Sequence, residues 1–448
     1  MNNIFNRLLH STMPESGLNF MQDLTPNRLQ RAAASNHQYW MSRIARAARG
    51  QVHRENGATW IYTPGPSGGE VVIPFPRLTR SNASEQLDAI LRYCRSCRSL
   101  QQVSCWSLDP AQPHDLGARL AARGFEWGWR PHWMWLDFQK MITDHPKPRG
   151  LRVERVEEEA IWNVEDLPYY RRDFAAYLHA ATRSRPRRVW HFAAWLDGVP
   201  VGQSVLNLTT GRLGVAGIFN CGVVPEARNK GIGKAITLAA CQFAQAIGFP
   251  GAVLNATGMG EPVYRRLGFE SIGYGQTWWL HRETLESQPP TQAPVTTNFA
   301  EAVGRGDVDT LDALGKGMVP EVLDTPLANG MTLVQLAVTM SQPASAEWLV
   351  AHGATLDIIS AWDVGWKDRV PHLLAESPEF ANRRLGRWQI TPLHIAAERG
   401  DIELARVLLT ANPDLEIQDT EFHSTPLGWA RHFQRTEIIA LIQQHQAK

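Results

Sequence analysis

The stretch Val223–Ala246 constrains the fold of this chain more than any other. It reads VVPEARNKGIGKAITLAACQFAQA. A β-rich apolar run ends at Pro225, a short basic loop with two glycines follows, and from Ile232 the apolar residues recur at helical spacing. The sequence therefore predicts a strand, a loop and the start of a helix, in that order.

The loop between this strand and this helix has the chemistry of an anion site. The free N–H groups of a helix's first turn point into such a loop, and the helix dipole adds positive potential there. Gly231 and Gly233 allow a ligand to approach the backbone closely, while Arg228, Lys230 and Lys234 add positive charge. An ordinary glycine-rich helix entry has the same pattern, so this loop alone leaves both interpretations open.

Two well-known phosphate loops do not fit this sequence. A P-loop requires glycine where the chain has Arg228 and Ser or Thr where it has Ala235, and a Rossmann fingerprint requires glycine at Ile236. The remaining pattern, R-x-x-G-x-G after V-x-P, resembles the pyrophosphate loop of the GNAT (GCN5-related) N-acetyltransferases. Downstream, YRRLGF at Tyr264–Phe269 is similar to that family's Y-x-x-L-G-F signature, and the two motifs have the family's order and spacing.

This resemblance implies an acetyl-CoA-binding domain with a mixed β-sheet at residues 150–282. It implies acetyl-CoA as a cosubstrate and no metal ion. The backbone of the strand before the loop is implied to hold the pantetheine arm and the thioester carbonyl. The residues matched to the coenzyme site are Cys221, Val223, Val224, Arg228, Asn229, Lys230, Gly231, Ile232, Gly233, Lys234 and Asn255.

The resemblance also assigns catalytic roles. Tyr264 matches the tyrosine that commonly serves as the general acid, and a phenol with an ordinary pKa of ~10 stays protonated at neutral pH. A helix tyrosine that anchors the core is the alternative interpretation. Asn220 is a candidate to order a water molecule or the substrate. Cys221 suggests a covalent acetyl-cysteine route, but no base is identifiable beside it, so we expect direct transfer in a ternary complex.

The general base is not evident from the sequence. Many family members carry a glutamate on the strand before the loop, yet 213–225 contains no carboxylate. Either a water relay removes the proton, or a residue of the preceding region does so, with Glu158, Asp166, Asp173, His179 and His191 as candidates. Acidic and aromatic residues suited to an ammonium group are also found there, and we expect substrate binding by Asp166, Tyr169, Tyr170 and Asp173.

The N-terminal half is similar to a second, degenerate copy of the same unit. LGARLAARGF at 116–125 looks like the family's L-G-F end, but no R-x-x-G-x-G loop occurs before residue 150. We therefore expect residues 36–144 to have kept the fold and lost the coenzyme. The predicted strand at 126–138 carries tryptophans that pack the core or form the wall of an amine pocket, namely Trp127, Trp129, Trp133 and Trp135.

Beyond a Pro- and Thr-rich linker at 283–296 the sequence becomes repetitive. ITPLHIAAERGDIELARVLL at 390–409 resembles the ankyrin repeat, and Thr391 recurs as Thr425 in STPLGWA. Looser copies predict about five helix pairs over 297–448. His394 belongs to the repeat's own turn, so we expect it to be structural. Ankyrin stacks mostly bind other proteins, and self-association or closure of the active site are further possibilities.

Length and composition limit the remaining options. A chain of 448 residues predicts about two to four domains, here an arm at 1–35 followed by an α+β arrangement of tandem GNAT-like sheet domains and an all-α ankyrin solenoid. The net charge of +1 disfavours a nucleic-acid partner, and no apolar run approaches the ~20 residues that span a bilayer. Five cysteines form no disulfide framework, and the N-terminus does not read as a signal peptide, so we expect a reduced cytoplasmic protein.

Three classes of function fit these patterns. The first is an N-acetyltransferase that acts on the primary amine of a small molecule. The second is a protein acetyltransferase whose ankyrin repeats recruit the target. The third is a non-enzymatic interaction scaffold that binds CoA, which the missing strand glutamate would explain.

Overall fold

The chain divides into two compact units. The computed structural model describes residues 21, 24–65, 68–97, 99–156, 167–168, 172–287 and 296–447, except for the side chains of 172 and 173. The first unit comprises Met1–His114 and Trp127–Arg282, and the second comprises Asp115–Glu126 and Glu283–Lys448. The predicted domain boundaries differ from this division at 115–126, which lies inside the predicted domain 36–144 but belongs to the second unit.

The first unit is built on one twelve-stranded sheet. Its strands in chain order are β1 Gln51–Glu55, β2 Ala58–Thr63, β3 Gly69–Pro74, β4 Leu100–Leu108, β5 Glu126–Trp127, β6 His132–Asp137, β7 Leu151–Val156, β8 Val189–Leu196, β9 Val199–Leu208, β10 Ala216–Val223, β11 Gly251–Ala256 and β12 Glu270–His281. The spatial order is β1-β2-β3-β4-β12-β6-β11-β10-β9-β8-β7, and β5 pairs with β12.

The two predicted sheet domains interleave within this sheet. Strand β6 from the first half pairs with β11, and the last strand, β12, lies between β4 and β6. Both neighbours of β12 run antiparallel to it, with Trp278 opposite Cys105 and Tyr274 opposite His132. Each half therefore completes the sheet of the other, and the predicted domains 36–144 and 150–282 share one continuous sheet.

Among the described residues up to 287, the helices are α1 Pro26–Ala47, α2 Ala83–Ser96, α3 Leu116–Ala121, α4 Arg172–Arg183, α5 Ile232–Ala246, α6 Glu261–Arg265 and α7 Arg282–Ser287. Helix α1 starts inside the predicted arm 1–35, which is therefore wrong for residues 26–35. Pro26 suits the first helical position because proline fixes a helical φ and the N–H there has no helical partner anyway. Residues 1–20, 22 and 23 lie outside the described part. Helix α7 likewise occupies the first residues of the predicted linker 283–296.

Two apolar clusters cover the sheet. The larger cluster includes Ile236 and Ala240 of α5 and Leu254 of β11. A smaller cluster contains Leu29 and Ala33 of α1 together with residues of the central strands. Alternation along β11 explains the division, because Leu254 and its neighbour Val253 point to opposite faces.

The two tryptophan pairs of the predicted strand differ in burial. The predicted strand at 126–138 is interrupted, since only Glu126–Trp127 and His132–Asp137 are extended. Trp133 and Trp135 are buried in the cluster with α1, which confirms core packing for this pair. Trp127 is 51% exposed, and Trp129 is partly exposed.

The second unit is helical. From residue 296 onward its helices are α8 Thr297–Arg305, α9 Val308–Leu314, α10 Pro320–Leu323, α11 Leu333–Thr339, α12 Pro343–Ala351, α13 Ile358–Asp363, α14 Arg369–Glu376, α15 Pro392–Arg399, α16 Ile402–Leu409, α17 Pro426–His432 and α18 Thr436–Gln446. Leaving out the single turn α10, these helices form five consecutive pairs within residues 296–447.

His394 is part of the repeat's turn. Its Nδ1 accepts a hydrogen bond from the backbone N–H of Thr391 at 3.1 Å, and its Nε2 donates to the carbonyl oxygen of Ser424 at 3.0 Å. One ring nitrogen therefore caps the repeat's own helix and the other joins this repeat to the next, which confirms the structural role predicted for this residue.

Helix α3 packs against the first repeat. Arg123 Nη1 donates to Glu301 Oε1 at 2.5 Å, and Arg119 Nη1 lies 3.6 Å from Glu301 Oε2. All three side chains are buried. Asn329 Nδ2 also donates to the carbonyl of Phe125 at 3.0 Å. Residues 115–126 therefore pack against the helical stack, although they lie more than a hundred residues before it in the sequence. This segment covers the apolar side of α8.

Candidate functional site

A cleft opens between two parallel strands in the middle of the sheet. Strands β10 and β11 pair at Ala216 with Ala252 and at Gly217 with Val253. The described register between them ends there, although β10 continues to Val223 and β11 to Ala256. Backbone groups that face this opening are released from pairing, so they can bond to a ligand.

A β-bulge on β10 shapes the wall of the cleft. The pairing of β10 with β9 shifts between Phe219 and Gly222, and Asn220 has a φ of 50°, an uncommon left-handed value. On one face, Cys221 Sγ lies 3.5 Å from Thr237 Oγ1 of α5. On the other face, the ring of Phe219 stacks on His37 of α1 at a centroid distance of 5.1 Å. The bulge therefore places Phe219 and Cys221 on opposite faces of the sheet, whereas residues two apart in a regular strand share one face.

The loop from 228 to 234 presents unpaired donors to this opening. Gly231 caps α5 with a φ of 80°, and Asn229 has a φ of 61°. Among the described residues, none accepts a hydrogen bond from the backbone N–H groups of 229–234. The first turn of α5 holds no acidic residue. Consecutive free N–H groups at a helix start form a concave anion site.

The basic side chains of this loop are accessible. Arg228 and Lys230 are exposed, and Lys234 is half-buried. Arg228 Nε donates to the carbonyl oxygen of Val223 at 3.2 Å, which holds the loop against the end of β10. The charge of all three residues adds to the helix dipole at the same end of α5.

Tyr264 reaches across the cleft from α6. It is 9% exposed, and its ring meets Phe269 edge to face at a centroid distance of 5.8 Å. Its hydroxyl hydrogen-bonds the Cys221 thiol on β10. Desolvation raises the pKa of that thiol, against the weaker opposing effects of the hydrogen bonds from Thr237 and Tyr264. The structure thus brings together Tyr264 and Cys221, which lie more than forty residues apart in the sequence.

The two asparagines predicted for the site have free amides. Asn220 and Asn255 are partly exposed, and neither side chain bonds to another described residue. Asn255 lies on β11 opposite Trp133 of β6. Val224 is buried beside the loop, and its N–H donates to the carbonyl of Val201 at 2.9 Å. That N–H is therefore already engaged.

The predicted amine-binding residues are placed only in part. Asp166, Tyr169 and Tyr170 lie outside the described residues, as does the candidate base Glu158. Asp173 belongs to α4, but its side chain lies outside the description too.

The candidate base His191 is a buried structural residue. Its Nε2 donates to Gln203 Oε1 at 2.9 Å. Desolvation lowers the pKa of His191 to about 4, against the opposing hydrogen bond from Gln203, so the ring is neutral at pH 7. Gln203 and Gly222, which lie beside His191 and the bulge, were not predicted as site residues. A glycine inside a strand is the sequence signal that could have indicated a close backbone approach at Gly222.

The described residues contain no group of three His, Cys, Asp or Glu side chains that could hold a metal ion. In the same part of the chain, no helix has the length and apolar character needed to cross a membrane.

Comparison with known proteins bears on both regions of the chain. The model of the Acetyltransferase (GNAT) family matches residues 151–269, and that of the ankyrin repeat matches residues 388–420. No curated protein matches the sequence.

Among solved structures, a GCN5-related N-acetyltransferase from Kribbella flavida is similar at 17% identity with a TM-score of 0.43, and the match covers 55% of this chain and 95% of that chain. A tandem GNAT protein from the clavulanic acid biosynthesis pathway is similar at 17% identity with a TM-score of 0.39, covering 58% of this chain and 97% of that chain. The family matches confirm the two resemblances seen in the sequence: the chain contains a GNAT acetyltransferase domain at residues 151–269 and an ankyrin repeat at residues 388–420.

Proposed function

We propose that this chain transfers an acetyl group from acetyl-CoA to the primary amine of a small molecule, by direct attack within a ternary complex. One observation carries the proposal. The cleft between β10 and β11 lies between a loop with unpaired N–H groups at 229–234 and the hydroxyl of Tyr264. This arrangement supplies an anion site at one end and a proton donor at the other.

The loop residues are suited to the diphosphate of the coenzyme. Backbone N–H groups of 229–234 would donate to its oxygens, and Arg228, Lys230 and Lys234 would neutralise its charge. Gly231 supports the loop conformation because its φ of 80° is costly for any residue with a Cβ. The pantetheine arm would follow the free edge of β10 near Cys221 and Val223. When bound, acetyl-CoA supplies an activated thioester.

Tyr264 is the proposed general acid. Expulsion of a thiolate needs a proton, and the Tyr264 hydroxyl points at the β10 wall, where its partner is Cys221. The thiol of Cys221 has a raised pKa, so it stays protonated at neutral pH and is a poor nucleophile. This supports direct attack by the amine over an acetyl-cysteine intermediate.

Removal of the amine proton is assigned to water. The described part of β10 carries no carboxylate, and His191 is neutral and already bonded to Gln203. Asn220 has a free amide at the bulge and is the proposed residue that orders this water. We also propose that Asn255 lines the coenzyme side and that Asp166, Tyr169, Tyr170 and Asp173 contribute to the amine site.

A protein acetyltransferase is the alternative that a specific observation favours. Trp388 and Phe422 are 43% and 63% exposed, and their rings meet at a centroid distance of 5.7 Å on two successive loops of the second unit. Exposed aromatic pairs are typical of protein-binding surfaces. In this alternative the repeats capture the target, whereas in the leading proposal they serve self-association or closure of the active site. A CoA-binding scaffold without activity is the third possibility.

Thiol release from acetyl-CoA by the full-length chain separates these functions. A panel of small primary amines is compared with lysine-containing polypeptides, and the double variant W388A/F422A is assayed beside the wild type. The proposal expects turnover with small amines that the double variant retains. Turnover limited to polypeptides and lost in the double variant would favour the alternative. Binding of acetyl-CoA without release by any amine would favour the scaffold.

A further inference from the structure

We infer that Gln203 is a positioning residue that sets the amine side of the cleft by holding Pro168 against Gly222 of β10. This inference rests on the proposed function. It concerns three residues that no motif assigns and that lie on the face of the sheet opposite helix α5.

Gln203 is fully buried on β9, and its side-chain amide forms two hydrogen bonds. Its Nε2 donates to the carbonyl oxygen of Pro168 at 3.0 Å, and its Oε1 accepts from Nε2 of His191 at 2.9 Å. A carbonyl oxygen only accepts, so the amide nitrogen must face Pro168 and the amide oxygen must face His191. His191 is also buried, and it fixes the orientation of the amide that holds Pro168.

Gly222 provides the surface on which Pro168 lies. It is directly opposite Gln203 in the register of β10 and β9. A Cβ added to Gly222 would lie 2.9 Å from Pro168 Cβ and 2.9 Å from its carbonyl oxygen. Contacts this short leave no room for a side chain, so Pro168 rests on the backbone of β10 one residue beyond Cys221.

The face of the sheet follows from the neighbouring residues. A Cβ on Gly202 would meet Ile236 of α5 at 2.7 Å, so position 202 faces α5. Gln203 is the next residue along the strand and points to the opposite face, as does its cross-strand partner Gly222. Cys221, in contrast, contacts Thr237 of α5. Pro168 therefore lies beside the bulge of β10, on the face of the sheet away from α5.

This placement has a consequence for the acceptor. If the coenzyme enters from the face of α5, an amine reaches the thioester from the face that Pro168 borders. The position of Pro168 then limits the room beside the bulge, which selects small primary amines over bulky ones. Displacement of Pro168 is expected to weaken amine binding and to leave the conformation of the loop at 228–234 unchanged.

Two substitutions release Pro168 in different ways. Gln203→Glu keeps the shape and an acceptor for His191, but a carboxylate has no N–H to donate to Pro168. Gly222→Ala leaves the Gln203 amide unchanged and displaces Pro168 and its carbonyl acceptor sterically. For each variant we expect the KM for the amine to rise about tenfold, equivalent to one lost hydrogen bond of about 1.4 kcal/mol, with the KM for acetyl-CoA unchanged.

A matched control is available on α5. Gln245 Nε2 donates to the carbonyl of Phe138 at 3.1 Å, so Gln245→Glu removes the same kind of bond far from β9. We expect this variant to keep both KM values. Equal changes of kcat and both KM values in Gln203→Glu would mean a general structural role and would overturn the inference.

Hydrogen exchange gives a readout that does not need turnover. The peptide that contains Leu167 and Pro168 is expected to exchange faster in Gln203→Glu and Gly222→Ala than in the wild type and in Gln245→Glu. Faster exchange with an unchanged KM for the amine would refute the positioning role, and so would unchanged exchange. If the wild type releases no thiol with any amine, the proposed function fails, while the exchange result still shows whether Gln203 holds Pro168.

Discussion

The hydroxyl of Tyr264 and the thiol of Cys221 form a hydrogen bond across the cleft, from α6 on one side to β10 on the other. The two residues come from the Y-x-x-L-G-F segment and from the strand before the R-x-x-G-x-G loop. The contact places the proposed acid beside the strand along which the thioester would lie. It also links two motifs that the sequence shows only as separate patterns.

The Tyr264→Phe variant tests the proposed acid. Loss of the hydroxyl is expected to lower kcat by about 100-fold or more, because the thiolate departs without a proton. The affinity for acetyl-CoA is expected to stay close to that of the wild type. Tyr274→Phe is the matched control, since Tyr274 is an exposed residue of β12. Steady-state thiol release measures both variants, and an unchanged kcat in Tyr264→Phe would remove the residue from the mechanism.

The Cys221→Ala variant distinguishes direct transfer from a covalent route. Desolvation raises the pKa of the thiol, so the nucleophilic thiolate is scarce at neutral pH. We expect the variant to retain turnover within about tenfold of the wild type, because a covalent catalytic step would be lost by much more than that. Intact-mass analysis of wild type incubated with acetyl-CoA alone is expected to show no acetyl adduct. An adduct on Cys221 that forms and decays at the rate of turnover would contradict this expectation.

Glu301 is expected to stabilise the second unit through α3. It is 3% exposed and pairs with Arg123 and Arg119, both buried. Glu301→Gln removes the carboxylate charge that Arg123 and Arg119 share, although Arg119 keeps its pair with Asp115 at 2.9 Å. Loss of this buried charge is expected to cost about 3 kcal/mol of unfolding free energy. Urea unfolding of the full chain measures it. The control is Glu403→Gln in the exposed Lys367–Glu403 pair, where we expect no measurable change.

The contact between α3 and α8 also affects the stability of a protein from which the repeats are removed. A chain that ends near residue 283 keeps α3 and loses α8, so the buried faces of Arg119 and Arg123 become exposed. We expect such a protein to aggregate or to melt at a lower temperature than the full chain. A truncated chain that melts with the full-length profile would show that α3 does not depend on the repeats.

Asp419 predicts a pH dependence for the repeats. Burial alone would raise its pKa, but hydrogen bonds from the N–H groups of Phe422, Trp429, Ser424 and Glu421 outweigh this effect and lower the pKa to about 2. A depressed folded-state pKa gives stability that is present above the unfolded pKa of ~3.9 and is lost as the pH falls toward 2.

We therefore expect the unfolding free energy to decrease between about pH 4 and pH 2, and Asp419→Asn to lack that part of the decrease. At pH 7 the Asn variant is expected to be less stable by about 1–2 kcal/mol, because charge-assisted hydrogen bonds become neutral ones. Thermal melts from pH 2 to pH 7 test both statements. Parallel curves for wild type and variant would contradict them.

Local patterns were sufficient to predict the elements that depend on neighbouring residues. Helix α5 was predicted to begin at Ile232, and the structure has it begin there. The loop at 228–234 could be predicted as a phosphate site because its chemistry lies in seven consecutive residues. The ankyrin pairs were identified because each repeat has its own turn residues.

Long-range pairing was not predictable from the same information. Nothing in residues 270–281 indicates that β12 lies between β4 and β6, because strand partners depend on the whole sheet. Residues 116–125 were assigned to the first half because they resemble the family's L-G-F end, although the buried Glu301 binds this segment to the repeats. The contact of Gln203 with Pro168 likewise joins residues 35 positions apart.

Calorimetry of acetyl-CoA binding tests the central claim most directly. Titration into the full chain is expected to give heat from a single site, and the heat is expected to disappear in Gly231→Val, because valine cannot adopt the left-handed φ of 80° without strain. A titration that gives no heat with a folded wild type, or equal affinity in the folded valine variant, would contradict the claim that residues 228–234 bind the diphosphate of the coenzyme.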